Sequence, residues 1–337
     1  MSRRFLAIAA FAAVGCTVQH VSSTQSMQTM DMNDHMAHMN PADLRAPAVP
    51  ASKSTFQGDL KLPPSAQTAA ARLAASPRHG EWVKFAVEPG SKDTVMAWIV
   101  YPLNNPKAPV VVVVHEIFGL STWIRGVADQ VAAEGFIAIA PDFLSRVRPG
   151  GPSTEEFPAQ QATQLIGQIN STERNAIISA AANFAMVQPS AQQRYAVIGY
   201  CWGGQTTFFH VINNGVKGFS GGVAYYGAPY MSQGQRATAT AAAVPGTYIV
   251  DSLKKINKPV ILLNGDARIS ASMPALDSLM KSLHKDYVGT DYKGAAHGFL
   301  RLQADTGNNP AAAANLEATK DAWPKTVAFL KKNLGVK

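Results

Sequence analysis

The stretch Gly199-Tyr200-Cys201-Trp202-Gly203-Gly204 decides the fold of this chain. An apolar run, Tyr195-Ala-Val-Ile-Gly-Tyr200, leads into it and predicts a buried strand, and residues 205–212 predict a helix. Glycines on both sides of the central residue permit a tight turn that larger side chains would block. Such a turn lifts Cys201 clear of the sheet, and a thiol in that position indicates acyl transfer through a thioester.

Strand and helix signals alternate from residue 81 onward. The uninterrupted apolar run Pro109-Val-Val-Val-Val-Val-His115 is typical of a central parallel strand that is covered on both faces. Repeated strand–helix–strand order predicts the α/β class and an α/β-hydrolase fold, with a mostly parallel central sheet and helices on both faces. The predicted strands are 81–87, 95–101, 109–115, 136–142, 195–200, 221–226, 259–263 and 290–293, and the predicted helices include 123–134, 272–284 and 316–334.

A cysteine nucleophile needs a base, and the base needs an orienting group. In α/β-hydrolases the order along the chain is nucleophile, acid, histidine. Asp266 follows the predicted strand 259–263, and His297 lies in a loop of small residues after the last strand. Each residue alone has an ordinary explanation, as a small buried side chain, a helix cap or a structural histidine. Together, in this order and at three strand ends, they predict a triad of Cys201, His297 and Asp266.

The segment His115-Glu116-Ile117-Phe118-Gly119 follows the predicted central strand, where such folds place part of the oxyanion hole. We expect the backbone N–H groups of Ile117 and Trp202 to donate to the oxyanion. Glu116 is the unusual member, because a carboxylate there could hold or deprotonate the thiol. Its alternative role is a salt bridge at a strand end.

The motifs of the chain resemble those of the dienelactone hydrolase family from about residue 80 to the C-terminus. The resemblance implies a triad at Cys201, Asp266 and His297, and a glutamate at Glu116 that bonds the resting thiol. In such enzymes the substrate displaces this carboxylate, which then deprotonates the cysteine. The matching motifs are HEIFG at 115–119, PDF at 141–143, GYCWGG at 199–204, YYG at 225–227, GDARI at 265–269 and HGF at 297–299.

The same resemblance implies an arginine that pairs with a substrate carboxylate, and Arg301 stands at that place. Tyr226 of the YYG motif is a second predicted substrate contact. Arg268 is predicted to form an ion pair of the scaffold. Arg146 and Arg148 are candidates, by location only, for a further substrate-binding arginine.

The amino-acid composition limits the classes of molecule that the protein is expected to bind. The 337 residues are 47% hydrophobic and 15% charged, with a formal net charge of +8, as expected for a globular protein with a large core. Scattered basic residues favour small anionic substrates and, without a basic patch interleaved with aromatic residues, argue against nucleic acid. No metal or other cofactor is predicted. The expected partner is a small ester or lactone, preferably an anionic one.

The N-terminus predicts export. Arg3 and Arg4 precede the apolar residues 5–14, which are too few to span a bilayer as a mature helix. Residues 1–16 are therefore interpreted as a signal peptide, and the sequence around Cys16 as an imperfect lipobox. The expected location is periplasmic or lipid-anchored, with a lipidated Cys16 as the only membrane attachment. Cys16 and Cys201 are the two cysteines, so the exported body would hold a single thiol.

Residues 17–78 are interpreted as a flexible extension and residues 79–337 as the hydrolase domain, with a possible insertion at 229–251. Five methionines surround His35 and His38 in the extension, which is compatible with copper binding, but without a defined ligand spacing a simple tether is favoured. Three functions stay open: a thiol-dependent ester or lactone hydrolase, a general carboxylesterase for neutral esters, and an inactive hydrolase body that binds copper or another ligand.

Overall fold

An eight-stranded sheet forms the centre of the molecule. The computed structural model describes residues 58–147, 158–232, 246–304 and 311–336. The spatial order of the strands is β1-β2-β4-β3-β5-β6-β7-β8. The strands are β1 (Gly80–Ala86), β2 (Thr94–Val100), β3 (Ala108–Val114), β4 (Ile137–Asp142), β5 (Ala191–Tyr200), β6 (Phe219–Tyr225), β7 (Val260–Asn264) and β8 (Tyr287–Asp291).

Helices connect these strands and pack against the sheet. A short 3₁₀ helix, Phe143–Arg146, follows β4 directly. The α-helices are α1 (Ala69–Ala74), α2 (Thr122–Ala133), α3 (Ala159–Ile166), α4 (Ser171–Met186), α5 (Trp202–Ile212), α6 (Val250–Lys254), α7 (Ala267–Ser282) and α8 (Ala312–Leu334).

The predicted mostly parallel sheet is confirmed. Strands β3 to β8 run parallel to one another, whereas β2 pairs antiparallel with both β1 and β4 at one edge. Every residue of β3 and β4 is buried, which explains the continuous valine run of β3: a strand covered on both faces has no solvent-facing positions to fill with polar residues.

The strand order changes direction around β3. Its neighbours β4 and β5 lie on opposite sides, so the connections after β3 and before β5 diverge and leave a crevice at the carboxyl ends of β3 and β5. Ligands of open parallel sheets bind in such a crevice. The register pairs Val114 with Gly199, which brings the residues after both strands together.

The structure differs from the expectation at the proposed start of the domain. Residues up to 57 lie outside the described part of the chain, but residues 58–78 pack on the body rather than forming a tether. Leu62 and Ala69 are buried, and the indole N–H of Trp123 donates to the carbonyl of Pro64 at 2.8 Å. Arg78 forms an ion pair with Asp129 on α2.

Other boundaries of helices and strands differ from the predicted ones by a few residues. Helix α7 begins at Ala267 rather than at 272, because the side chain of Asp266 caps its first turn. The last strand ends at Asp291 instead of continuing to 293. The proposed insertion is described at its two ends only, where Met231 and Tyr248 form a β-bridge. In the described part of the chain, no helix combines the length and apolarity that a membrane span requires.

Candidate active site

Cys201 occupies a strained position between β5 and α5. Its backbone has φ 57°, a conformation that a residue with a side chain adopts only when the surroundings enforce it. The amide of Cys201 donates to the carbonyl of Tyr225 at 3.0 Å, which anchors the turn on the neighbouring strand β6. The predicted strand, turn and helix around the thiol are therefore all present.

The flanking glycines are required for space. A Cβ on Gly199 would lie 1.9 Å from the carbonyl oxygen of Gly203, and a Cβ on Gly203 would lie 2.4 Å from that of Val114. The positive φ of the turn is carried by Cys201 itself. The glycines thus let α5 approach both its own strand and the end of β3.

His297 and Asp266 lie together beside this turn. Nδ1 of His297 donates to Oδ2 of Asp266 at 2.8 Å, and both side chains are about 5% exposed or less. The Asp266 carboxylate also accepts the backbone N–H of Arg268 at 2.9 Å as the cap of α7. Asp266 is therefore a helix cap, as its alternative explanation predicted, and the same carboxylate also accepts the hydrogen bond from His297.

Arg268 and Asn264 fix the Asp266 carboxylate from the other side. Nε of Arg268 donates to Oδ1 at 2.8 Å, and a second guanidinium nitrogen donates to Oδ2. Asn264, at the end of β7, accepts the backbone N–H of Asp266 at 3.1 Å. Burial raises the pKa of Asp266, but hydrogen bonds from His297 and Arg268 outweigh it and hold the pKa well below its usual range. The predicted scaffold role of Arg268 is thus directed at the triad acid.

The imidazole of His297 carries an elevated proton affinity. Burial by itself lowers its pKa, but the charge of a Cys201 thiolate and hydrogen bonds with Asp266 and Cys201 outweigh this and raise the pKa to about 10. A histidine with that pKa is an imidazolium at neutral pH. This arrangement favours a thiolate at Cys201 beside a protonated His297.

Glu116 and Arg301 form a second buried pair next to the first. Nε of Arg301 lies 3.3 Å from Oε2 of Glu116, and each side chain is at most 5% exposed. The guanidinium also lies over the ring of Phe118, 5.3 Å from its centroid. Burial raises the pKa of Glu116, the Arg301 charge lowers it, and the nearby Cys201 raises it again, with a net increase. The Arg301 charge therefore offsets part of the cost of burying the Glu116 carboxylate.

Two tyrosine hydroxyls face this part of the site. Among the residues that the structure describes, the hydroxyls of Tyr226 and Tyr200 are buried without a hydrogen-bond partner. Burial and the negative charge of Glu116 raise the pKa of Tyr226 far above its ordinary value, so its hydroxyl stays a neutral donor. Its ring centroid is 5.0 Å from that of His297. The sequence placed Tyr200 in a buried strand but did not indicate its place at the site, because its contacts with Trp123, Tyr225 and Tyr226 join distant parts of the chain.

The segments that carry the two predicted oxyanion donors lie next to each other. Ile117 follows β3 and Trp202 begins α5, and both residues are fully buried. The first N–H groups of a helix have no intrahelical acceptor, so that of Trp202 is available to a ligand. The close approach of Gly203 to the carbonyls of Val114 and His115 brings the two donor segments into contact.

Of the two further arginine candidates, only Arg146 lies in the described part of the chain. Arg146 forms ion pairs with Asp93 and Glu173, and Arg148 lies outside the described part of the chain. Met and His residues 27–39 also lie outside it. Within residues 58–147, 158–232, 246–304 and 311–336, no group of three or more His, Cys, Asp or Glu side chains could hold a metal ion.

The family of the chain follows from comparison with known proteins. The model of the dienelactone hydrolase family matches residues 95–334, a range that includes the elbow, both buried pairs and the oxyanion segment. The chain belongs to the dienelactone hydrolase family. It is accordingly a hydrolase of ester or lactone bonds, and its substrates are small molecules.

Individual relatives agree with this assignment. A Synechocystis protein named "Putative carboxymethylenebutenolidase" is 29% identical over 255 residues, which are 73% of this chain and 95% of that protein. A carboxymethylenebutenolidase of Pseudomonas putida is 30% identical over 137 residues, which are 40% of this chain and 56% of that protein. A dienelactone hydrolase-like structure from Klebsiella pneumoniae has a TM-score of 0.57 at 23% identity, and the match covers 75% of this chain and 99% of that one. This likeness shows the α/β-hydrolase fold.

Proposed function

We propose that the protein cleaves small carboxylate-bearing esters or lactones through a thioester on Cys201. The observation that carries this proposal is the proximity of two buried contacts, that of Cys201 with His297 and that of Glu116 with Arg301. The first pair supplies a nucleophile and a proton donor. The second supplies a cation, Arg301, with which a substrate carboxylate can pair.

The reaction begins with attack of the Cys201 sulfur on the ester carbonyl. The carbonyl oxygen becomes negatively charged and accepts hydrogen bonds from the Ile117 and Trp202 amides. The imidazolium of His297 then protonates the departing alkoxide, and a thioester remains. Neutral His297 takes a proton from water, and the resulting hydroxide attacks the thioester carbon. The C–S bond then breaks, the carboxylic acid product leaves, and the thiolate of Cys201 remains beside the imidazolium, which is the resting state.

Asp266 keeps the imidazole in the orientation that this sequence of proton transfers requires. The hydrogen bond from Nδ1 to Asp266 leaves Nε2 to serve the sulfur and the substrate oxygen. The two hydrogen bonds from Arg268 hold the carboxylate still and lower its pKa, so that it accepts from the imidazolium without taking its proton.

Glu116 and Arg301 confer the preference for anions. A guanidinium pairs with a carboxylate through two parallel hydrogen bonds, so a substrate carboxylate can replace Glu116 on Arg301. The displaced Glu116 no longer pairs with Arg301 and can then act on the ionisation of Cys201, a role that the family resemblance implies for this glutamate. Tyr226, with its buried and unpartnered hydroxyl, is proposed to donate a hydrogen bond to the same substrate.

The test compares two p-nitrophenyl esters of similar size, the anionic hemisuccinate and the neutral butyrate. We expect the wild type to favour the hemisuccinate, and Arg301→Gln to raise KM for it alone. Losing a hydrogen bond to a charged group costs about 1.5–3 kcal/mol, roughly 10- to 150-fold in binding. Arg146→Gln is the matched control, because Arg146 is bound to Asp93 and Glu173 and should leave the ratio unchanged.

Other results would select the remaining functions. A wild type that prefers the butyrate, together with an Arg301→Gln variant that preserves this ranking, would establish a general carboxylesterase. Absence of hydrolysis of both esters, with copper binding by the full chain, would establish the inactive-body alternative. The proposal also fails if Cys201→Ala hydrolyses the hemisuccinate at the wild-type rate.

A further inference from the structure

The side chain of His115 is fixed by hydrogen bonds on both ring nitrogens. Its Nε2 accepts the backbone N–H of Phe143 at 3.1 Å, so this nitrogen carries no proton. Its Nδ1 lies 2.6 Å from the carbonyl oxygen of Glu116. A carbonyl oxygen only accepts, so Nδ1 holds the proton and donates it. The tautomer of a fully buried histidine is therefore determined by its neighbours.

The bond to Glu116 bears on a predicted oxyanion donor. The carbonyl of Glu116 and the N–H of Ile117 belong to the same planar trans peptide, so they point in opposite directions. Whatever holds the carbonyl also aims the N–H. The Gly119 N–H also donates to this carbonyl, at 3.3 Å, but the His115 bond is the shorter one, so His115 helps to set the direction of the Ile117 N–H and polarises it toward an incoming anion.

The same imidazole touches the second donor segment. The ring of His115 stacks on that of Trp202, with centroids 5.8 Å apart and planes inclined by 12°. Phe143 packs edge-on against both rings, at 5.2 Å from each. The side chain of one donor residue and the peptide of the other are thus linked through a single histidine.

We propose that His115 is a positioning residue that aligns the two halves of the oxyanion hole, Ile117 and Trp202, through its hydrogen bond to Glu116 and its stacking on Trp202. This role rests on the proposed hydrolysis, and His115 itself touches neither substrate nor nucleophile in it. Its effect falls on the step that develops a charge on the carbonyl oxygen.

Two substitutions separate the two hydrogen bonds. Asn at this position can place its amide nitrogen, a donor, where Nδ1 lies, whereas Gln can place its amide oxygen, an acceptor, where Nε2 lies. His115→Asn therefore keeps a donor for the Glu116 carbonyl, and His115→Gln loses it while keeping a partner for Phe143. Each variant is assayed for hydrolysis of the hemisuccinate ester and for alkylation of Cys201 by iodoacetamide, a displacement that forms no oxyanion.

We expect kcat of His115→Gln to fall about 10-fold or more below that of His115→Asn, since removing one oxyanion donor costs about 10²–10³-fold. Both variants should alkylate at the wild-type rate, which also verifies that the nucleophile and its turn are intact. Equal kcat values, a faster His115→Gln, or an alkylation rate that falls in parallel with hydrolysis would overturn the inference. Failure of the proposed hydrolysis has a different signature: wild-type turnover would survive complete alkylation of Cys201.

Discussion

Cys201 and His297 determine each other's charge. The Cys201 thiolate is the largest of the causes that raise the pKa of His297 to about 10, against the lowering effect of burial. Cys201→Ala should therefore lower this pKa toward or below its ordinary value, and should abolish turnover. NMR titration of the histidine ring protons, with His297→Ala to assign the signal, measures the shift. An unchanged titration would show that the thiolate is not the partner.

The same pair makes stability depend on pH. While Cys201 stays ionised, the folded pKa of His297 lies above its unfolded value, so the contribution of His297 is present near and below pH 6.5 and is lost as the pH rises through about 10. The thermal midpoint of the wild type should consequently fall more steeply over this range than that of Cys201→Ala.

Glu116 opposes the thiolate. The proximity of Cys201 raises the pKa of Glu116, and by reciprocity the Glu116 charge disfavours the thiolate. Glu116→Gln should therefore let iodoacetamide alkylate Cys201 at lower pH than in the wild type. Glu81→Gln, on the exposed part of strand β1, is the control. Identical alkylation profiles for Glu116→Gln and wild type, with identical kinetics, would reduce Glu116 to a scaffold residue.

Among the elements, the segment 58–78 has a role that its composition hides. The N–H of Ala66 donates to the carbonyl of Arg301 at 2.9 Å, and the amide of Gln303 donates to the carbonyl of Pro63 at 2.9 Å. The segment thus holds the loop that carries Arg301 and follows His297. We call residues 58–78 the strap.

Shortened chains test this strap. A chain that starts at residue 58 should match the full-length protein in thermal midpoint and kcat/KM. A chain that starts at residue 79 loses these bonds and the ion pair of Arg78 with Asp129, so it should melt earlier and hydrolyse esters more slowly. If both shortened chains behave alike, the strap has no such role.

Some helices, strands and site residues could be predicted from the sequence more completely than others. The valine run of β3 and the glycines around Cys201 are local signals, so the buried strand and the turn could be predicted from neighbouring residues alone. The order of Cys201, Asp266 and His297 was visible because each follows a strand. The contact of Glu116 with Arg301 joins distant parts of the chain, and no local pattern specifies it. The burial of Leu62 and Ala69 was missed because a segment rich in Pro and Ala has no periodicity.

For the molecule as a whole, we propose export, on the basis of Arg3, Arg4 and the apolar residues that follow them. Intact-mass measurement of the protein purified from its native source is the test. We expect loss of the first residues up to the region of Cys16, and a diacylglyceryl mass on Cys16 would establish lipid anchoring. A mature chain that retains Met1 would refute export.

The buried pair of Glu116 and Arg301 has a thermodynamic consequence for binding. A ligand carboxylate that takes Arg301 leaves Glu116 buried without its cation, and burial already raises the pKa of this carboxyl. Capture of the anion should therefore draw protons from the solvent, up to one for each ligand bound. Calorimetry of an anionic product with Cys201→Ala, in buffers that differ in ionisation enthalpy, would count these protons. In the double variant with Glu116→Gln, the heat of binding should not depend on the buffer. Proton uptake by Glu116 is thus expected to accompany the binding of the anion.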